Sequence, residues 1–222
     1  YFEPRVWGQK FIRPVWTNMR AWVSSNYQKR IAVDASLGYV DVQRNDWWEW
    51  NYELEFRFRI TNQLFLIHEW EQKLQYNSEG YAVKFGDPIN LPDVILFGNR
   101  DRTTNTQSLG IDYTLTNRLG ATFRLRHYNA KIKYNSFSSL NENGRLNDLY
   151  DFSGLDSNGV SVYNINYNAF TIDMLIRWVF LPGSELNLGW KNSIFISDEN
   201  VNERYWTTLN NTLRNGPINT LS

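Results

Sequence analysis

The chain has no cysteine among its 222 residues, which excludes disulfides, zinc–thiolate centres and cysteine nucleophiles. Histidine is scarce: only His68 and His127 are present, too few for a His-rich metal site. An excess of one charge is also lacking, with 23 Lys+Arg against 23 Asp+Glu. A nucleic-acid binder carries a basic excess to meet phosphates, so nucleic acid is not an expected partner. No run approaches the ~20 consecutive apolar residues of a membrane-crossing helix. The opening Tyr1-Phe2-Glu3-Pro4 is neither basic nor followed by an apolar stretch, so no secretion signal is read there, and the expectation is a mature chain or one whose beginning is missing. The length suits one domain or part of a larger one.

What the chain has in abundance is rings, with 10 Trp, 13 Tyr and 13 Phe. Their placement has period two, the side-chain alternation of a strand. Between residues 48 and 60, Trp48, Trp50, Tyr52, Leu54, Phe56, Phe58 and Ile60 share one face, while Glu49, Asn51, Glu53, Glu55, Arg57 and Arg59 share the other. Ile31, Val33, Ala35, Leu37 and Tyr39 repeat the pattern, as do Leu109, Ile111, Tyr113 and Leu115. So do Phe170, Ile172, Met174, Ile176, Trp178 and Phe180, and Leu186, Leu188 and Trp190. Two segments are less regular. Residues 64–76 place Phe65 and Ile67 on the more polar face. Residues 121–134 begin with Phe123 and Leu125 on one face and then shift to Tyr128, Ala130, Ile132 and Tyr134, as a bulge would cause, or an upper half standing above the buried zone.

The pattern predicts eight strands, at about 15–25, 31–42, 48–60, 64–76, 104–115, 121–134, 168–180 and 185–197. It predicts no helix of useful length, and a short extended piece at 91–98. Short polar turns at 26–29, 61–63, 116–118 and 181–184 join the strands in pairs. The links between pairs are long and Asn-, Gly- and Ser-rich at 77–103 and 135–167, and short at 43–47. Antiparallel strands joined this way gather the short turns at one end and the long loops at the other.

One apolar and one polar face fit either a soluble sandwich or barrel with the apolar side inward, or a membrane barrel with the apolar side outward. Alternation alone leaves both open. Strands of ~12–13 residues span ~40 Å of chain at ~3.3 Å per residue, long for a soluble domain and enough to cross a bilayer when tilted. The asymmetry of loop lengths, and Trp residues near strand ends, point the same way.

Several segments carry a family resemblance. They are Tyr1-Phe2-Glu3-Pro4-Arg5, Ser24-Ser25-Asn26-Tyr27, Phe97-Gly98-Asn99-Arg100-Asp101-Arg102, Leu125-Arg126-His127-Tyr128, Lys133-Tyr134-Asn135-Ser136-Phe137, Asn168-Ala169-Phe170-Thr171-Ile172-Asp173-Met174 and Trp178-Val179-Phe180-Leu181-Pro182-Gly183-Ser184-Glu185-Leu186. In these the chain resembles the C-terminal β-barrel region of a Bacteroidota outer-membrane family of unknown function. Members of that family usually carry an N-terminal domain similar to family-9 carbohydrate-binding modules. The resemblance implies that residues 1–222 are a partial outer-membrane barrel domain without that N-terminal domain. It also implies that the ending Asn219-Thr220-Leu221-Ser222 is the start of a closing strand.

Motifs with chemistry are few. His68 shares a face with Leu64, Leu66 and Trp70, but no Ser nucleophile signature accompanies it, so no catalytic residue and no enzyme are expected. The pairs Glu53/Glu55 and Glu69/Glu71 could serve as acid and base, yet Arg57, Arg59 and Lys73 lie on the same faces and make ion pairing the simpler reading. Asp148, Asp151, Asp156, Ser157 and Asn158 form an oxygen-rich loop without EF-hand spacing, read as a solvated loop; no metal or cofactor is expected. Trp47 and Trp48 could stack on sugars or belong to an interfacial belt, the reading favoured here.

The expectation is therefore an all-β, antiparallel up-and-down transmembrane β-barrel, the C-terminal part of a larger one, in the outer membrane of a Gram-negative bacterium. Glu49, Glu53, Glu55, Arg57, Arg59, Arg124 and Arg126 would face the lumen. Trp50, Tyr52, Leu54, Phe56, Phe58, Ile172, Met174, Ile176 and Trp178 would face lipid. The expected role is binding or passage of extracellular material, with glycans suggested by the family's usual N-terminal domain. The alternative is a non-conducting subunit of a larger assembly with other outer-membrane proteins.

Overall fold

A computed structural model describes residues 7–82 and 94–221. Ten strands form one antiparallel sheet: β1 (Trp16–Ser24), β2 (Ile31–Val42), β3 (Trp47–Arg59), β4 (Leu64–Tyr81), β5 (Ile95–Thr116), β6 (Leu119–Leu140), β7 (Leu146–Asp148), β8 (Ile165–Leu181), β9 (Ser184–Asp198) and β10 (Ile218–Leu221). The spatial order is β1-β2-β3-β4-β5-β6-β8-β9-β10, and β7 pairs with the far end of β6. The path is mostly up-and-down. The sheet is open, since β1 and β10 do not pair with each other.

The eight expected strands are all present, and the two additional ones, β7 and β10, are short. The larger difference is length. β5 and β6 each run for 22 residues, so the segments 77–103 and 135–167 are partly strand. The extended piece expected at 91–98 lies partly outside the described residues; from Ile95 onward it is the start of β5. The expectation of no helix is also corrected, because α1 (Tyr205–Leu213) precedes β10. Its Thr and Asn content disfavours a helix. It forms because Thr208 and Thr212 are buried where α1 packs on β8 and β9, and their hydroxyls donate to the carbonyls of Arg204 and Thr208.

The register sorts side chains into two faces. Glu53 pairs with Ser36 and Glu71, and Leu54 pairs with Ala35 and Trp70, so the charged and apolar rows remain separate across β2, β3 and β4. Along β6 and β8 the sorting inverts partway up. On β6, Ala121, Phe123 and Leu125 give way on the same side to His127, Asn129 and Lys131. On the other side, Thr122, Arg124 and Arg126 give way to Tyr128, Ala130 and Ile132. β8 follows in register. Ile172 and Phe170 are succeeded by Asn168 and Asn166, and Asp173 and Thr171 by Ala169, Tyr167 and Ile165. The register is continuous from Gly120 to Tyr134, so the phase change seen in the sequence is a change of environment and not a bulge.

Bulges lie higher up. The register shifts between Gln75 and Ser78 on β4, where Asn77 has φ 51°, and beside Asn99/Arg100 where β6 passes from Tyr134 to Ser136. Asn tolerates the left-handed backbone that such a bulge needs. The β6 bulge brings Tyr134 and Phe137 to one side, opposite Arg100 and Gly98. There the 149–163 segment folds over them and forms the main buried core: Ala82, Leu96, Phe137 and Tyr163, flanked by Tyr134, Leu149, Phe152 and Val162. Phe11, buried against Phe97 with ring centroids 4.8 Å apart, closes in beside it. The close packing requires missing side chains. A Cβ on Gly98 would lie 2.2 Å from the Tyr134 ring, which is itself stacked on Phe137 at 5.5 Å.

Gly98→Ala should therefore destabilise by about 1–3 kcal/mol in denaturant titration. Gly110→Ala, whose Cβ would meet only ordinary contacts at 3.8 Å and beyond, should fall within about 0.5–1 kcal/mol of the parent.

Candidate functional site

The charged face is built by strand register. Glu49, Glu53, Glu55, Arg57 and Arg59 alternate along β3, and Glu71 and Glu69 stand directly opposite Glu53 and Glu55 on β4. Asp34 on β2 stands on the other side of Glu55. Like charges directly opposite destabilise a sheet, so partners are needed. Arg20 reaches over β2 to Glu53 at 2.5 Å, and Ser36 donates to the same oxygen at 2.7 Å. Arg57 lies 3.6 Å from Glu55. The buried Glu49 is held by Lys73 at 2.9 Å, by Gln75 at 2.6 Å and by the Trp47 indole at 3.1 Å. Ser24 and Tyr27 donate to Asp34. The exposed pairs among these are each worth about 0.2–1 kcal/mol.

The ion-paired face read from sequence is thus only half realised. Glu69, Glu71, Arg124 and Arg126 form no ion pair among the described residues. They border a hollow of about 530 Å³, with Thr106, Ser108 and Gly110 of β5 as its floor and Thr171, Asp173 and Lys191 beyond. Asp173 and Lys191 lie 3.7 Å apart. A second hollow of about 750 Å³ is lined by Arg20, Asp34, Ser36, Glu53, Glu55, Glu69 and Glu71 among others. Polar side chains from eight neighbouring strands, β1 to β9 without the short β7, thus border hollows on this face.

The other face carries Trp50, Tyr52, Leu54, Phe56 and Phe58 of β3, which are half-buried. On β8 it carries Ile172, Met174 and Ile176, half-buried, and Trp178, exposed. Met19, Val23, Ile31, Leu37, Leu186 and Leu188 on this side are exposed as well. His68 lies here among Leu66 and Trp70, and its Nε2 meets Gln107 at 3.0 Å.

Sequence reasoning missed the polar network above this band. Asn129 donates to Asn166 and Asn168 at 3.1 and 2.8 Å, and all three are buried. His127, also buried, meets the Tyr205 hydroxyl of α1 at 2.8 Å. The only sequence signal is the i, i+2 spacing of Asn166 and Asn168, and nothing there indicates that Asn129 joins them or that a helix 37 or more residues away roofs them. The loop oxygens are likewise used internally. Asp148 accepts from Ser138 at 2.9 Å, and Asp156 accepts the backbone N–H groups of Asn158 and Val160 at 2.8 and 2.9 Å. Among the described residues, no group of three or more His, Cys, Asp or Glu side chains could hold a metal ion. Of the two tryptophans considered for sugar stacking, Trp47 is buried with Arg13 over its ring, and Trp48 stacks on Tyr76 with centroids 3.9 Å apart.

A family model described as "Domain of unknown function (DUF5916)" matches residues 1–222, the whole chain. No curated protein matches, and no solved structure matches.

The two N–H donors hold the Asp156 carboxyl below the usual carboxylate range. A lowered folded-state pKa contributes order that is present above the ordinary pKa and lost as pH falls through the lowered one. Protection of the Asn158 and Val160 amides, measured against the unstructured exchange rate at each pH, should thus be full at neutral pH and fall in acid below the ordinary carboxylate range. In Asp156→Asn the acid-induced step should disappear.

Proposed function

We propose that this chain, which belongs to the DUF5916 family, forms a wall of a β-barrel in an outer membrane. Its apolar face contacts lipid, and its charged face borders a lumen that binds or passes extracellular material. The inversion along β6 and β8 carries this reading. A soluble sandwich keeps one face apolar for the whole length of its strands, because one core lies behind it. Here the same strands are apolar on one side below Leu125 and Phe170, and on the opposite side above Tyr128 and Ala169. Two different surroundings at two heights produce such a reversal: lipid outside the lower part, and a protein core inside the upper part.

Magnitudes support the lipid assignment. The sheet is a single layer, and α1 packs on β8 and β9 and, through Tyr205, on His127 of β6. Leaving Met19, Val23, Ile31, Leu37, Trp178, Leu186 and Leu188 in water forgoes roughly 10 kcal/mol, at about 1.5–3 kcal/mol for each fully buried side chain. That is comparable to the whole stability of a domain. Strands of 22 residues reach roughly 70 Å, so even when tilted they stand well clear of a ~30 Å hydrocarbon layer.

Within this reading, a non-conducting role is favoured by one observation. The Phe137, Tyr163 and Phe152 cluster occupies the charged side of the sheet at its long-loop end. Ion conductance across planar bilayers separates the two: steady channels support passage, and a sealed bilayer supports the subunit role. The glycan expectation rests on the family resemblance alone.

Leu54→Arg or Phe56→Arg should cost about 2–4 kcal/mol in a folding titration into lipid vesicles if near the midplane. Arg57→Gln should cost much less. Equal costs would reverse the assignment of faces, and a monomeric, native-like protein in detergent-free buffer would overturn the membrane reading.

A further inference from the structure

We infer that the hollow between β4 and β6 is a binding site for a short zwitterionic peptide, its ammonium end at Glu69 and Glu71 and its carboxylate end at Arg124 and Arg126. This rests on the proposed lumen and names a ligand class for it. The charges are arranged in separated rows. Glu69 and Glu71 project from β4, Arg124 and Arg126 from β6, and all four are exposed. The strand between them presents Thr106, Ser108 and Gly110, small side chains that form a floor, with Asp112 at its end beyond Gly110. In register, Ser108 stands between Glu69 and Arg126. A larger residue there would fill the gap, and an acid or base would neutralise one row.

Neither row satisfies itself. Glu69 and Glu71 face the carboxylates of Glu55 and Glu53 on the adjacent strand, a repulsion that an ammonium group would relieve. Among the described residues Arg124 and Arg126 form no ion pair with a carboxylate, although Asp173 stands opposite Arg124. Two guanidinium forks on one side suit a carboxylate, which accepts paired N–H donors.

Geometry selects the ligand length. Two strand spacings of ~4.8 Å put the rows about 10 Å apart. Three extended residues at ~3.3–3.6 Å each span the same distance. The hollow, at about 530 Å³, is within the range of pockets that hold small ligands. The hydroxyls of Thr106 and Ser108 can bond to the peptide groups between the ends, which selects for backbone and leaves side chains unread.

The test is isothermal titration of the full chain in detergent micelles with trialanine, N-acetyl-trialanine, N-acetyl-trialanine amide and free alanine. Trialanine should bind saturably. The doubly capped peptide and alanine, which offer no charge or too short a span, should bind at least tenfold more weakly. Glu69→Gln with Glu71→Gln should weaken trialanine at least tenfold and leave N-acetyl-trialanine unchanged. Arg124→Gln with Arg126→Gln should weaken both. Ser108→Tyr, which fills the floor without altering charge, should abolish binding and serves if a double variant fails to fold. Equal binding of capped and uncapped peptides, or retained affinity in the folded variants, overturns the site. Absence of saturable trialanine binding by a protein that inserts into vesicles overturns the site alone. A protein folded in detergent-free buffer overturns the membrane reading, and the same titration in that buffer still decides the site.

Discussion

A sheet one layer thick has no interior of its own. Its backbone hydrogen bonds are satisfied strand to strand, but each face must find its environment elsewhere. In most folds a second layer provides it. Here α1 covers part of β8 and β9, the 149–163 segment covers the upper end of β5 and β6 on the opposite side, and the remainder is a single curtain of strands. The long apolar rows on β2, β3, β8 and β9 and the charged rows behind them depend on that arrangement. Proposed lipid on one side and water on the other would give each row the solvent it needs.

The upper part of the sheet solves a different problem with local means. Once the strands rise past Leu125 and Phe170, the formerly apolar side carries Asn129, Asn166 and Asn168, which bond to one another, and His127, which bonds to Tyr205 of α1. The formerly charged side closes on aromatic rings. Bulges at Asn77 and beside Asn135 adjust which side chains point inward, and Gly98 and Gly154 leave room for Tyr134 and Phe137 to approach the backbone. Gly154, at φ +66°, also occupies a left-handed conformation that other residues resist. The result is a packed protein core at one end of a surface that elsewhere is open and charged.

Electrostatics on that open surface is not a set of neutralised pairs. Carboxylates of β2, β3 and β4 crowd together with Arg20, Arg57 and Lys73 as their cations, while Arg124 and Arg126 stand two strands from β4 with no ion-paired carboxylate among the described residues. A dry interior would not tolerate this separation, because unpaired charges there cost several kcal/mol each. A hydrated hollow tolerates it, and the separation then imposes a direction on whatever charged solute enters.

The period-two alternation was sufficient to place eight strands, assign the two faces of β3 and foresee Phe65 and Ile67 among the polar row, because each strand writes its two faces into neighbouring positions of the chain. The odd behaviour of residues 121–134 was visible too, and its cause is a change of surroundings along one continuous strand. Helix α1 was not legible, since Thr208 and Thr212 become good helix residues only when buried against β8 and β9. Nor were the unpaired state of Glu69, Glu71, Arg124 and Arg126, the roof over Asn129, or the folding of 149–163 onto Phe137. Each of these depends on which strands lie side by side and how far apart they stand. The sequence by itself determined the alternation and the two-faced character of the strands, because those are local properties of a pleated chain. Only the tertiary structure decided the register, the height at which the faces exchange character, and which charges meet, because those arise from contacts between residues far apart along the chain.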